Sequence, residues 1–113
     1  MGLTASVLAI DAGNSKTDVA VVAADGTVLA TARGGGFRPP AVGVEAAVAG
    51  LAQAVEEACA TAGVTSASHV SACLANADLP VEEEQLAAAL HARAWGVTVE
   101  VRNDTFAILR DRN

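Results

Sequence analysis

Ile10-Asp11-Ala12-Gly13-Asn14-Ser15-Lys16-Thr17-Asp18-Val19-Ala20-Val21-Val22 decides how this chain is read. An apolar run ends in an aspartate, a polar turn carries a glycine and a lysine flanked by hydroxyls, and a second apolar run follows. Such residues suit a phosphate-binding turn, and spacing tells which kind. A GxxxxGK loop followed by Ser or Thr must open a helix, because nested amides and the helix N-terminus hold the phosphates. Gly13 to Thr17 lacks that spacing, and Asp18 to Ala24 reads as strand. The GxGxxG fingerprint is missing as well. What remains is a hairpin turn between antiparallel strands.

In such a turn Gly13 allows a close backbone approach to a ligand, and Asn14 tolerates left-handed geometry. Exposed amides and the Ser15 and Thr17 hydroxyls can donate to phosphate oxygens. Lys16 either adds positive charge or points to solvent. Asp11 repels phosphate but can hold a hydrated Mg²⁺, an ion that keeps several waters and takes few carboxylates. An ordinary Asn/Gly-rich hairpin uses the same residues, so the motif alone leaves both readings open.

Working outward, Ser6–Ile10, Thr17–Ala24 and Thr27–Arg33 read as three strands of a meander. Asp25-Gly26 between the last two predicts a two-residue type I′ hairpin. Gly34-Gly35-Gly36 and Pro39-Pro40 then break regular structure. Val44, Val48, Leu51, Val55 and Cys59 recur at helical spacing within about Ala41–Ala62, with Gly63 as C-terminal cap. Val70–Ala75 reads as a strand. Pro80 and Glu82-Glu83-Glu84 favour a helix start that runs to about Trp95, because proline and acids suit a first turn. Val97–Val101 reads as a β-branched strand, and Thr105–Arg110 as a last helix. The order β-β-β-α-β-α-β-α predicts an α/β fold: a mixed, five-stranded, ribonuclease H-like sheet with helices on its faces.

The chain has 113 residues, 52% of them hydrophobic, which suits one small domain or a piece of a larger one. A formal charge of −6 and scattered Lys and Arg argue against a nucleic-acid partner. Apolar stretches fall short of a membrane span and no leader opens the chain, so a soluble, cytoplasmic protein is expected. Cys59 and Cys73 lack metal-ligand spacing and read as small buried thiols. Alanine fills 27 positions, which allows close helix–sheet packing but buries little area per contact.

Asp11 follows the first strand, Asp78 the fourth and Asp104 the fifth, so parallel pairing brings all three to one carboxyl edge, where open α/β sheets bind ligands. Asp78, before Pro80, reads first as a helix cap. Asp104 is also a candidate cap, but its place facing the phosphate turn favours a base that takes a hydroxyl proton during attack on a γ-phosphate.

These stretches together resemble a known group. Ile10–Thr17 is similar to the first phosphate motif of the sugar kinase, heat-shock protein and actin superfamily. Its N-acetylglucosamine kinase branch, grouped with the ATPase activators of 2-hydroxyacyl-CoA dehydratases, also fits Gly34–Gly36, Leu74–Asp78 and Val101–Asp104. The resemblance implies an actin-like ATPase domain that uses ATP and Mg²⁺ to phosphorylate the 6-hydroxyl of a hexosamine. By it, Asp104 is the catalytic base, Gly13, Asn14, Ser15, Lys16 and Thr17 contact the ATP phosphates, and Asp11 lies near the metal. Gly36, Phe37, Asp78 and Asn103 lie beside the sugar. Phe37-Arg38 stand where the family's sugar loop carries an asparagine, which bears on sugar preference. Arg38 is read either as a solvated loop arginine or as a partner for an acidic ligand.

Family members continue with a second phosphate motif, an adenosine motif and a second domain, none of which lies in residues 1–113. The expectation is therefore an N-terminal domain with part of a site and little turnover alone, its partner a small sugar, with a homodimer as a candidate assembly. The alternatives are an activator ATPase, whose class holds an iron–sulfur cluster with cysteines, and a non-catalytic module.

Overall fold

The computed structural model describes residues 3–38, 42–75 and 80–103. Five strands and two helices follow in the order β1 (Leu3–Ala12), β2 (Lys16–Val22), β3 (Val28–Gly35), α1 (Val44–Ala62), β4 (Val64–Leu74), α2 (Pro80–Ala92) and β5 (Gly96–Asn103). They form one sheet in the spatial order β3-β2-β1-β4-β5. β1, β2 and β3 pair antiparallel, whereas β4 runs parallel to β1 and β5 parallel to β4. Hairpins and helical crossovers dictate those directions, and the result is the mixed sheet expected from the sequence.

Strand alternation divides the sheet into two faces. Leu8, Ile10, Ala12, Val19, Val21, Val70, Ala72 and Leu74 are buried and share one core cluster with Val48, Leu51 and Val55 of α1 and Leu86 and Leu90 of α2. Each larger aliphatic side chain there contributes about 1.5–3 kcal/mol through area removed from water. Both described helices lie on that face and touch each other. The opposite face is not covered by any described element; the expected helix at 105–110 falls outside the described residues.

α1 buries the middle of its expected stripe, Val48, Leu51 and Val55, with Val44 and Cys59 half-buried at its ends. Gly63 caps it in a left-handed conformation, φ 76°, its N–H donating to the carbonyls of Ala60 and Cys59. Gly50 sits within α1 with open space where a side chain would go. Gly50→Ala is therefore expected to stabilise the fold by about 0.5–1 kcal/mol, through lower backbone entropy in the unfolded chain. A thermal melt should show a rise of a few degrees, and a fall would mean that this helix face is not free.

Three local features differ from the sequence reading. β4 starts at Val64, six residues before the expected Val70. Its polar half, Thr65 to His69, pairs with the central strand β1 and gains its structure from that neighbour rather than from hydrophobic pattern. α2 stops at Ala92 rather than near Trp95: the N–H groups of Arg93 and Ala94 bond three residues back and Ala94 turns left-handed at φ 58°. Trp95 is buried at 9% exposure, and its carbonyl accepts the Ala67 N–H.

The Asp25-Gly26 turn is a hairpin but not of type I′, since only Gly26 has positive φ, 90°. Gly26 N–H donates to Ala23 and Ala23 N–H to Thr27, which makes a longer loop with the glycine in its bulge position. Asp25 instead accepts the Thr27 N–H on its carboxylate at 2.9 Å, and hydrogen bonding with Thr27 lowers the Asp25 pKa.

Candidate functional site: a braced hairpin turn at the carboxyl edge

The pairing register sets the site. Gly34, Thr17, Ala12, Leu74 and Asn103 lie in one transverse row across all five strands. The row before it reads Arg33, Asp18, Asp11, Cys73 and Arg102. The turn at Gly13 to Ser15 and the end of β5 at Asn103 thus stand on the same edge, two strand spacings or about 10 Å apart along the row. Asp78 and Asp104 lie outside the described residues, and Asn103 is placed by its backbone alone.

Asn14, Ser15 and Lys16 are exposed at that edge, and Gly13 is half-buried. The Gly13 N–H donates to the Lys16 carbonyl at 2.8 Å, which closes a tight turn around Asn14-Ser15. Neither Gly13 nor Asn14 adopts positive φ, so the left-handed geometry anticipated at Asn14 is not used. Thr17 is placed differently from its neighbours. It is 2% exposed, and its hydroxyl donates to the Gly35 carbonyl at 2.8 Å. That proton is engaged inside the protein, so the exposed side-chain donors of the turn are those of Asn14, Ser15 and Lys16.

Asp11 is half-buried on the uncovered face, directly across from Asp18. Two carboxylates opposite each other repel. Arg33 offsets this by donating to Asp18 at 2.8 Å, but it is a surface pair, with side chains 67% and 44% exposed. Such pairs contribute about 0–1 kcal/mol. Sequence reasoning missed Asp18, although a turn centred on Asn14-Ser15 places residue 18 opposite residue 11 by simple counting. Among the described residues no three His, Cys, Asp or Glu side chains gather as a metal site. A single carboxylate at Asp11 beneath a turn of outward donors still fits a hydrated Mg²⁺ carried in with its phosphates.

The loop after β3 lies against the turn. Phe37 N–H donates to the Gly13 carbonyl at 2.8 Å, and Arg38 Nε to the Asn14 carbonyl at 2.9 Å. The Phe37 side chain is 1% exposed and belongs to the core, so this residue meets the site through its backbone. A hollow of about 560 Å³ opens beside these groups, lined by Asn14, Ser15, Gly36, Arg38, Val42 and Gly50 among others. A larger one, about 710 Å³, lies on the uncovered sheet face between the Asp18–Arg33 pair and Cys73. Its floor is mostly small residues, and Asp11, one residue row below the turn, also lines it, whereas Asn14 and Ser15 line the smaller hollow.

The two cysteines sit on opposite sides of the sheet: Cys59 on α1 against the core, and Cys73 with its side chain toward the uncovered face. Burial raises the Cys59 pKa and keeps it protonated at neutral pH. One chain therefore does not bring the two thiols together.

A crystal structure named "Putative N-acetylglucosamine Kinase from Chromobacterium violaceum" aligns with 88% of this chain at a TM-score of 0.66 and 22% identity. The two chains share a fold. This chain spans 35% of that protein's length. No protein-family model and no curated protein matches the sequence.

Proposed function

We propose that this chain forms the phosphate-binding half of an ATP-dependent amino-sugar kinase, acting in the cytoplasm on the 6-hydroxyl of N-acetylglucosamine or a related hexosamine. The observation that carries the reading is the common edge. The Gly13–Thr17 turn and the ends of β1, β4 and β5 meet there, in a fold shared with a protein bearing a kinase name.

Mg²⁺-bound ATP would supply the phosphoryl group. The chain's own residues have distinct tasks. Ser15, Lys16 and the backbone of the turn bind phosphate oxygens. Asp11, one residue row below, holds the hydrated ion. Asn103 lies beside the sugar, with Asp78 and the Gly36 loop. Asp104 accepts the proton of the attacking hydroxyl. Such chemistry depends on positioning and charge stabilisation more than on covalent help from the protein.

The test is an assay of the full-length protein with Mg²⁺, ATP and a panel of hexosamines. ADP release should require an amino sugar, and the product should carry phosphate on its 6-oxygen. No sugar-dependent release across the panel would refute the kinase reading.

A further inference from the structure

Four contacts tie residues Gly35 to Arg38 to the turn at Gly13 to Thr17. Thr17 Oγ1 donates to the Gly35 carbonyl, Phe37 N–H to the Gly13 carbonyl, and Arg38 Nε to the Asn14 carbonyl. The fourth is steric: a Cβ on Gly36 would collide with the Asn14 carbonyl oxygen and lie 3.4 Å from the Ser15 nitrogen. The loop is itself anchored, because the Phe37 ring is packed in the core. A two-residue turn with no left-handed residue to fix it has little shape of its own. The core-anchored loop supplies that shape from behind.

We propose that Gly35–Arg38 is a brace that sets the geometry of the Gly13–Thr17 turn, with Arg38 a positioning residue that acts through the Asn14 carbonyl. Arg38 fixes which way the Asn14–Ser15 peptide faces, and so where the outward amide and the Ser15 hydroxyl point. Its charge is incidental to this role; the donor at Nε carries it. The claim about shape stands on the contacts alone. The claim about ligand affinity rests on the proposed nucleotide site.

Glutamine places its amide nitrogen where arginine has Nε, without the charge, whereas methionine keeps the length and offers no donor. The full-length protein and its Arg38→Met and Arg38→Gln variants would be compared in two ways: hydrogen exchange of residues 13–17 and 36–38 without ligand, and titration with ATP and Mg²⁺. Arg38→Met should speed exchange at the Gly13 and Phe37 amides and weaken nucleotide binding by up to roughly tenfold, the scale of one lost hydrogen bond. Arg38→Gln should restore most of both. Unchanged exchange in Arg38→Met would overturn the brace. So would an Arg38→Gln variant as weak as Arg38→Met with an unloosened turn, since the guanidinium charge would then act on the ligand directly. If the wild-type protein binds no nucleotide yet Arg38→Met loosens the turn and Arg38→Gln restores it, the brace stands and the nucleotide reading falls.

Discussion

Gly36→Ala is expected to destabilise the fold by about 1–3 kcal/mol and to abolish ATP binding. Its Cβ would meet backbone on the turn, the carbonyl carbon of Asn14 at 2.9 Å as well as the oxygen it strikes. No rotamer change relieves a clash between two backbones, so either the loop or the turn must move. The loop is held by the buried Phe37, and the turn by its pairing with β1. The exposed turn is the softer of the two, and the geometry of the proposed phosphate site should be lost. For a domain of this size, about 2 kcal/mol corresponds to a fall in Tm of roughly 10 °C. Gly13→Ala is the informative contrast. The nearest atom to its Cβ is the Lys16 carbonyl oxygen at 3.5 Å, an ordinary contact. That variant should fold nearly as well as wild type, and any loss of binding would report on the ligand's own approach. A Gly36→Ala protein with wild-type Tm and ATP affinity would mean that turn and loop part easily.

The contrast between these glycines shows what the sequence could and could not disclose. Gly13 stands inside a recognisable motif and drew attention, yet its backbone needs no glycine geometry. Gly36 is demanded by Asn14, 22 positions away, and nothing local signals that approach. The meander, the two described helices and the strand directions were legible because hydrophobic period and turn residues agree along the chain. The first half of β4 was not legible, because Thr65 to His69 owes its strand state to pairing partners. Thr17 was half legible. Strict alternation from Val19 and Val21 already places it on the core side, but its hydroxyl drew it toward the ligand in the sequence reading. The fate of that proton depends on Gly35, which only the folded sheet brings near.

Asp104→Asn should lower kcat of the full-length protein by about 10²–10⁴-fold, the usual scale for removing a general base, with the KM values for ATP and sugar little changed. Asp104 has two candidate roles, base and helix cap, and this substitution separates them. Asparagine caps a helix about as well as aspartate, so a residue that only caps would tolerate the change in both turnover and Tm. As a base, asparagine fails entirely, because its amide cannot take up the hydroxyl proton at neutral pH. The loss corresponds to about 3–5 kcal/mol in the barrier, well above the ~1 kcal/mol expected from a missing cap. Asp104→Ala should then add a stability loss of that smaller size only if the cap is real as well. The preceding residue, Asn103, pairs with Leu74 in the row that runs through Ala12, just below the turn, which is where the base reading starts. An Asp104→Asn protein that turns over at the wild-type rate would move the proton acceptor elsewhere and leave the edge as a nucleotide platform alone.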